Sequence, residues 1–270
     1  WWRLLHGDSL HREVSERAVL ECEPDASGPL LQMSGMGRAL EAIGFKQLQW
    51  PGHGVGDHQP FQYLDREYMK AEEYDDFLFD PTGFYLQKYL PRVLGVFEGF
   101  DKLPRFAGMH YLRTMYGMRP FALPEVRASF DKIVAAAEET NTLFAHHIDW
   151  VQRLRAAGFP LANGTVATSP YDIIADYFRG ATGMMKDLYR HKDKLKLVLD
   201  KMSTIVTRMT IQNAGLANHP IVFIPIHWAP DAFMSPKQFE EFWLPPIRKM
   251  LIGMIDAGLI AMERRTIRIL

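Results

Sequence analysis

Residues 220–244 read PIVFIPIHWAPDAFMSPKQFEEFWL. The apolar run Ile221–Ile226 predicts a short buried strand. A polar and aromatic turn follows, with His227, Trp228 and Asp231. Ser235-Pro236-Lys237-Gln238 then opens a helix. Ser235 can cap free backbone N–H groups, Pro236 suits the first helical position, and Gln238 completes a capping box. A strand thus empties into a loop that carries His, Trp and Asp. In α/β folds that end of a strand is where ligands bind.

The device occurs a second time. Asn163–Thr168 predicts a short strand, and Ser169-Pro170-Tyr171-Asp172 opens the helix after it. Two such junctions predict repeated βα units. Between residues 80 and 257 the spacing predicts helices over 80–97 (bent at Pro91), 124–157, 170–189, 192–213 and 236–257. In the longest of these, Val126, Phe130, Ile133, Val134, Ala137, Phe144, Ile148, Val151 and Leu154 recur at spacings of three and four. Gly258–Ala261 resembles the start of a further strand. Helices alternating with short apolar strands predict an α/β fold, with a TIM-type (β/α)8 barrel ahead of an open sheet. Fewer than eight strands are readable, and the chain starts without Met, so a barrel short at one or both ends is expected. The expected division is an N-terminal extension or incomplete start over 1–40 and a barrel domain over 41–270.

The chain has 270 residues, 47% of them hydrophobic, enough for a sizeable core. Its 31 basic and 32 acidic residues leave a net charge of −1, which argues against a nucleic-acid partner. One cysteine, Cys22, excludes a disulfide within these residues and a Cys-rich metal site. A buried or incidental thiol and a reducing, cytoplasmic location are the corresponding expectations. No apolar run approaches the ~20 residues of a membrane helix, and no signal peptide is readable.

Three segments carry a resemblance. Gly44–Pro104 contains FKQLQWPGHGVGDHQPFQYLDREYMKAEEYDDFLFDPTGFYLQKYLPRVLG, residues 164–190 read GTVATSPYDIIADYFRGATGMMKDLYR, and the third is 221–258. Together they resemble the uroporphyrinogen decarboxylase superfamily over about residues 40–260, in particular a divergent bacterial branch related to corrinoid-dependent methyltransferases. The resemblance implies a (β/α)8 barrel with its site in the mouth. The Arg-rich, Gly-containing N-terminal motif of true uroporphyrinogen decarboxylases and its following Asp are not found. The Tyr expected six residues after Pro170 is replaced by Asp176, with Tyr177 beside it. The methyltransferase branch often holds zinc through one His and two Cys, which a chain with one Cys does not match, so no metal ligands are assigned. The reading that tolerates these departures best is methyl transfer between a small, methoxylated substrate and a corrinoid (cobalamin) on a partner protein. Decarboxylation of a tetrapyrrole carboxylate and a non-catalytic tetrapyrrole-binding subunit are the alternatives. A homodimer is also expected.

Within this frame His227 is the candidate acid/base, since imidazole titrates near neutrality, and Asp231 is the group that would orient it. Tyr171, Asp172, Asp176 and Arg179 share the first turns of one helix and are candidate substrate contacts. Asp176 and Arg179, three apart, can pair. Asp172 also has a plain reading, as a first-turn carboxylate favoured by the helix dipole. His53, among the glycines of Pro51-Gly52-His53-Gly54, and Tyr63, in the aromatic stretch Phe61–Asp65, are expected to close the mouth. His146 and His147 are read as structural, and Glu72–Asp76 as a solvated helix face.

Overall fold

A computed structural model describes residues 8–28, 36–104, 110–230 and 232–263. The chain divides into two compact units, Trp1–Leu64 with Asp80–Pro160, and Asp65–Phe79 with Leu161–Leu270. This division differs from the expected one, which cut the chain once, near residue 41.

In the first unit the strands β1 (Leu48–Pro51), β2 (Gly54–Val55) and β3 (Gln62–Tyr63) form a small sheet in the order β2-β1-β3, with β1 and β3 antiparallel. Leu40, Leu48 and Trp50 bury their side chains together beneath it, with Met36, Ile43, Phe45 and Phe61 around them. The helix Pro124–Ala156 starts on a proline at its first turn, as expected, and spans 33 residues. The 3₁₀ segment Gly95–Lys102 packs on it closely enough that a Cβ on Gly99 would meet the Glu125 carbonyl oxygen at 2.5 Å. The Gly99 N–H donates to Ser129 Oγ at 3.0 Å there. Cys22 ends the helix Asp8–Cys22 and is exposed, not buried.

In the second unit β4 (Thr165–Val166), β5 (Ile221–Ile224) and β6 (Ile260–Glu263) are parallel, in the order β4-β5-β6. The start of a strand read at 258–261 is thus β6. Helical segments over 170–190 and 192–217 connect β4 to β5, and those over 236–256 connect β5 to β6. Helices Lys192–Ala217 and Leu244–Asp256 lie against each other, and Ser203 Oγ donates to the Pro246 carbonyl at 2.7 Å. Val198, Leu199, Met202, Trp243, Ile247 and Met250 are among the buried residues of this core. Each large apolar side chain so removed from water contributes about 1.5–3 kcal/mol.

At the opposite, amino-terminal edge of this sheet, His219 fixes the strand ends. Its Nδ1 accepts from the Ile221 N–H at 3.3 Å, so Nε2 carries the proton and donates to the Leu161 carbonyl at 3.0 Å.

The molecule is therefore a mostly helical α/β protein with two small sheets. Among the described residues there is no closed eight-stranded barrel. The N-terminal strands do not extend the parallel sheet; they pair among themselves and include an antiparallel pair, which an all-parallel barrel does not contain.

Three helices expected to be continuous are interrupted by a wide π turn. Tyr85–Tyr89, Ile174–Arg179 and Phe239–Trp243 follow the proline-headed starts Pro81–Phe84, Pro170–Ile173 and Pro236–Gln238. Prolines explain two of them. Pro91, and the pair Pro245-Pro246, lack the N–H that would continue the i→i−4 ladder, and the ladder shifts register ahead of them. Leu90 accordingly donates to Tyr85 O, five residues back. The third turn ends at Gly180, whose φ of +66° a side chain would strain. The next N–H, that of Ala181, is bonded by Asp65 Oδ1 at 2.6 Å.

Candidate active site

The Ser-Pro starts position the site. Ser169 Oγ accepts from the Asp172 N–H at 3.0 Å, which holds the first turn of the helix after β4. Ser235 and Gln238 form the expected capping box, with Gln238 N–H on Ser235 Oγ at 3.3 Å and Ser235 N–H on Gln238 Oε1 at 3.0 Å. Both junctions lie at the carboxyl-terminal ends of parallel strands, so the loops leaving β4 and β5 share one edge of the sheet.

Asp172 joins these loops. Its carboxylate is fully buried and accepts from the backbone N–H of His227 at 2.8 Å and from the Trp243 indole at 3.0 Å. Burial pushes its pKa above the ordinary carboxylate range. The His227 N–H, Trp243 and Ser169 oppose that push, and Asp176 adds to it. Asp172 is thus more than a first-turn charge near a helix dipole, because it anchors the segment that carries His227.

One turn along the same helix, Asp176 Oδ2 accepts from His227 Nδ1 at 2.7 Å, and Oδ1 accepts from the Trp228 indole at 2.6 Å. The hydrogen bond from Asp176 raises the imidazole pKa; partial burial opposes it, and the charges of Asp176 and Asp172 reinforce it. With Nδ1–H given to the carboxylate, Nε2 is the nitrogen available to a reacting group. The imidazole is half-exposed, so a ligand can reach it. Trp228 also meets the Phe233 ring at 5.1 Å between centroids, which adds aromatic surface beside the pair.

Arg179 does not join Asp176. The π turn changes which residues share a face, and the buried guanidinium turns to Asp187, at 2.6 Å from Nε and 3.3 Å from Nη2. It also donates to the Met69 carbonyl at 2.5 Å and lies 3.5 Å from Glu67. Tyr74 donates its phenol to Asp187 Oδ2 at 2.6 Å, and burial, together with that bond, drives its pKa strongly upward. Tyr74 sits inside the acidic run read as a solvated face, yet its side chain is fully buried. Tyr171 is also buried in the core, and burial raises its pKa.

His53 and Tyr63 belong to the other unit. His53 stacks on Trp50 at 4.7 Å, with Nε2 at 2.5 Å from Glu41 Oε1, in the turn between β1 and β2. Tyr63 is exposed on β3 and meets the edge of Phe61. Asp231 lies outside the described residues. Asp187, Tyr74 and Trp243 were absent from the expected site. An aromatic within an acidic run was a readable signal for Tyr74, whereas Asp187 and Trp243 look like ordinary helix residues in sequence. Among the described residues no group of three His, Cys, Asp or Glu could hold a metal ion. Nor is any described helix long and apolar enough to cross a membrane.

Comparison with known proteins agrees with the strand-end geometry. The family Uroporphyrinogen decarboxylase (URO-D) matches residues 110–260. That is more than half of the chain, and the protein belongs to this family. The match is shorter than the resemblance over 40–260 and leaves out the segment 45–95. A lipoyl synthase from Caldicellulosiruptor bescii is 25% identical over 157 residues, covering 53% of this chain and 51% of that protein. The chain therefore spans about half the length of that curated relative.

Proposed function

We propose that this member of the family is an enzyme that transfers a methyl group from a small, methoxylated substrate to a corrinoid carried by a partner protein, with His227 as the proton donor. The observation that carries the reading is the His227–Asp176 pair at the carboxyl edge of β4 and β5, with Nε2 left for a substrate. Transfer of methyl from an ether oxygen leaves an alkoxide or phenoxide, which departs poorly unless protonated. His227, held cationic by Asp176, gives its Nε2 proton to that oxygen, and the product leaves as an alcohol or phenol. The corrinoid, when bound, supplies the metal that takes the methyl group. Asp176 keeps the Nδ1–H fixed and stabilises the imidazolium, Trp228 fixes Asp176, and Asp172 fixes the backbone of His227. The exposed ring of Phe233 beside Trp228 suits the flat face of an aromatic substrate or macrocycle.

Arg179 and Tyr171 act from within the core by holding the helix that presents Asp176, in place of the substrate contact first expected of Arg179. The zinc site of the methyltransferase branch does not fit the described residues, whose chain has a single, exposed Cys. No step passes through zinc here. A small (β/α)8-like arrangement is the family frame in which β4-β5-β6 would form one sector.

Family membership favours a second reading, decarboxylation of a tetrapyrrole carboxylate. That substrate calls for several cations, since Arg is the best partner of a carboxylate. The groups described at Asp172, Asp176 and His227 are Trp, Ser, His and Asp, and Arg179 is committed to Asp187. This composition supports methyl transfer. The test is incubation with a corrinoid protein in its reduced state and methoxylated aromatic compounds, followed by the cobalt absorption spectrum, beside a parallel incubation with uroporphyrinogen assayed for released CO₂. A spectral change that requires both the chain and the methoxy compound is expected. CO₂ release without one would replace the proposal with the second reading.

A further inference from the structure

The apolar positions of helix Pro124–Ala156 divide between two faces. Val126, Ala136, Trp150 and Leu154 are buried in their own unit. Phe130, Val134, Phe144 and Ile148 are exposed, at 41%, 59%, 49% and 54%. With exposed Ala137 and Asn141 between them, these positions form an unbroken outward series, 130, 134, 137, 141, 144 and 148. The spacing alternates four and three, which is the repeat of a coiled-coil seam and not the broader stripe of a helix packed on a globular core. It runs for about 27 Å at 1.5 Å per residue.

We infer that this seam pairs with the same seam of a second copy of the chain, in parallel. In the heptad, Val134, Asn141 and Ile148 occupy the a positions, and Phe130, Ala137 and Phe144 the d positions. Branched residues at a favour two parallel strands, and one Asn among them fixes register and oligomer state. A side-chain amide both donates and accepts, so Asn141 can satisfy its own copy across a two-fold axis. That self-complementarity points to a second copy as the occupant. The flanking charges choose the direction. An antiparallel pair would set Glu138 against its own copy, whereas a parallel pair sets Ile133 near Glu138 and Thr140 near Ala145, with no like charges opposed.

The area is sufficient. Side chains of ~200 Å² each, half-exposed, put the seam at a few hundred Å². The exposed Tyr111, Met115 and Phe121, the last stacked on Phe130, bring the apolar surface to the order of ~800 Å² per partner that a specific pair buries. The pairing does not depend on the proposed reaction.

Sedimentation of the purified chain over a wide concentration range tests the inference, together with cysteine cross-linking in a Cys22→Ser background. A dimer is expected. Val134→Glu with Phe144→Glu, at positions exposed in the single chain, is expected to weaken it at least ~100-fold while the far-UV circular dichroism stays unchanged. Asn141→Cys is expected to cross-link to itself on mild oxidation. A monomer at every concentration, a dimer indifferent to the double Glu variant, or a dimer in which Asn141→Cys forms no cross-link would each overturn the proposal.

Discussion

His227 Nδ1 and Asp176 Oδ2 lie 2.7 Å apart, although 51 positions separate the two residues in the chain. The contact is possible because β4 and β5 are hydrogen-bonded neighbours running in the same direction, so the loops that leave them emerge together. Asp172 reinforces the meeting by gripping the His227 N–H.

If His227 is the acid of the reaction, His227→Ala lowers turnover at least ~100-fold without unfolding the protein. Single-turnover rates and circular dichroism on the same preparation check this, and near-normal rates would remove His227 from the chemistry.

Asp176→Asn removes the main influence that raises the His227 pKa. The active form carries a protonated imidazole, so activity falls as pH rises through that pKa. The falling limb of the pH–rate profile therefore moves to lower pH in Asp176→Asn, and an NMR titration of the His227 ring follows it. Stability has the same sign. The folded-state pKa lies above the unfolded value, so the pair's contribution is complete below the unfolded pKa of about 6.5 and disappears as pH rises through the folded one. The difference in urea midpoint between the parent and Asp176→Asn should be larger at acid pH than at alkaline pH.

Asp172→Ala strands the Trp243 indole and the His227 N–H without their acceptor. A loss of about 2–4 kcal/mol in unfolding free energy is expected, as two buried donors lose a charged partner. Chemical denaturation gives the value, and a loss below about 1 kcal/mol would show that water replaces the carboxylate.

Breaking the Arg179–Asp187 pair from one side should cost about 3–5 kcal/mol, because the surviving charge stays buried and alone. Arg179→Met combined with Asp187→Leu should recover much of that loss. A double variant as unstable as the sum of the singles would mean that Tyr74 and the Met69 carbonyl, not the ion pair, hold this region together.

Much of the arrangement was legible in the sequence, and for identifiable reasons. Ser169-Pro170 and Ser235-Pro236 announce helix starts through local chemistry, and both caps form. The strand at 221–224 stops where Pro225 can no longer donate. Asp176 and His227 were each picked out, but their contact was not, since it depends on which strands are neighbours. The Asp176–Arg179 pairing failed because regular helical spacing was assumed across a π turn. In helix Pro124–Ala156 the three-and-four spacing revealed the helix but mixed two faces, since Phe130 and Val126 are equally apolar and only the fold separates exposed from buried. The parallel strands were readable as apolar runs, whereas β1–β3 lie in a Gly- and His-rich stretch with no clear alternation.

The indole of Trp228 donates directly to the carboxylate that also holds His227. A native fluorophore is therefore wired to the reacting pair. Any event that discharges, protonates or displaces Asp176 must alter the emission of that indole, so substrate docking can be watched in the unlabelled protein without waiting for product.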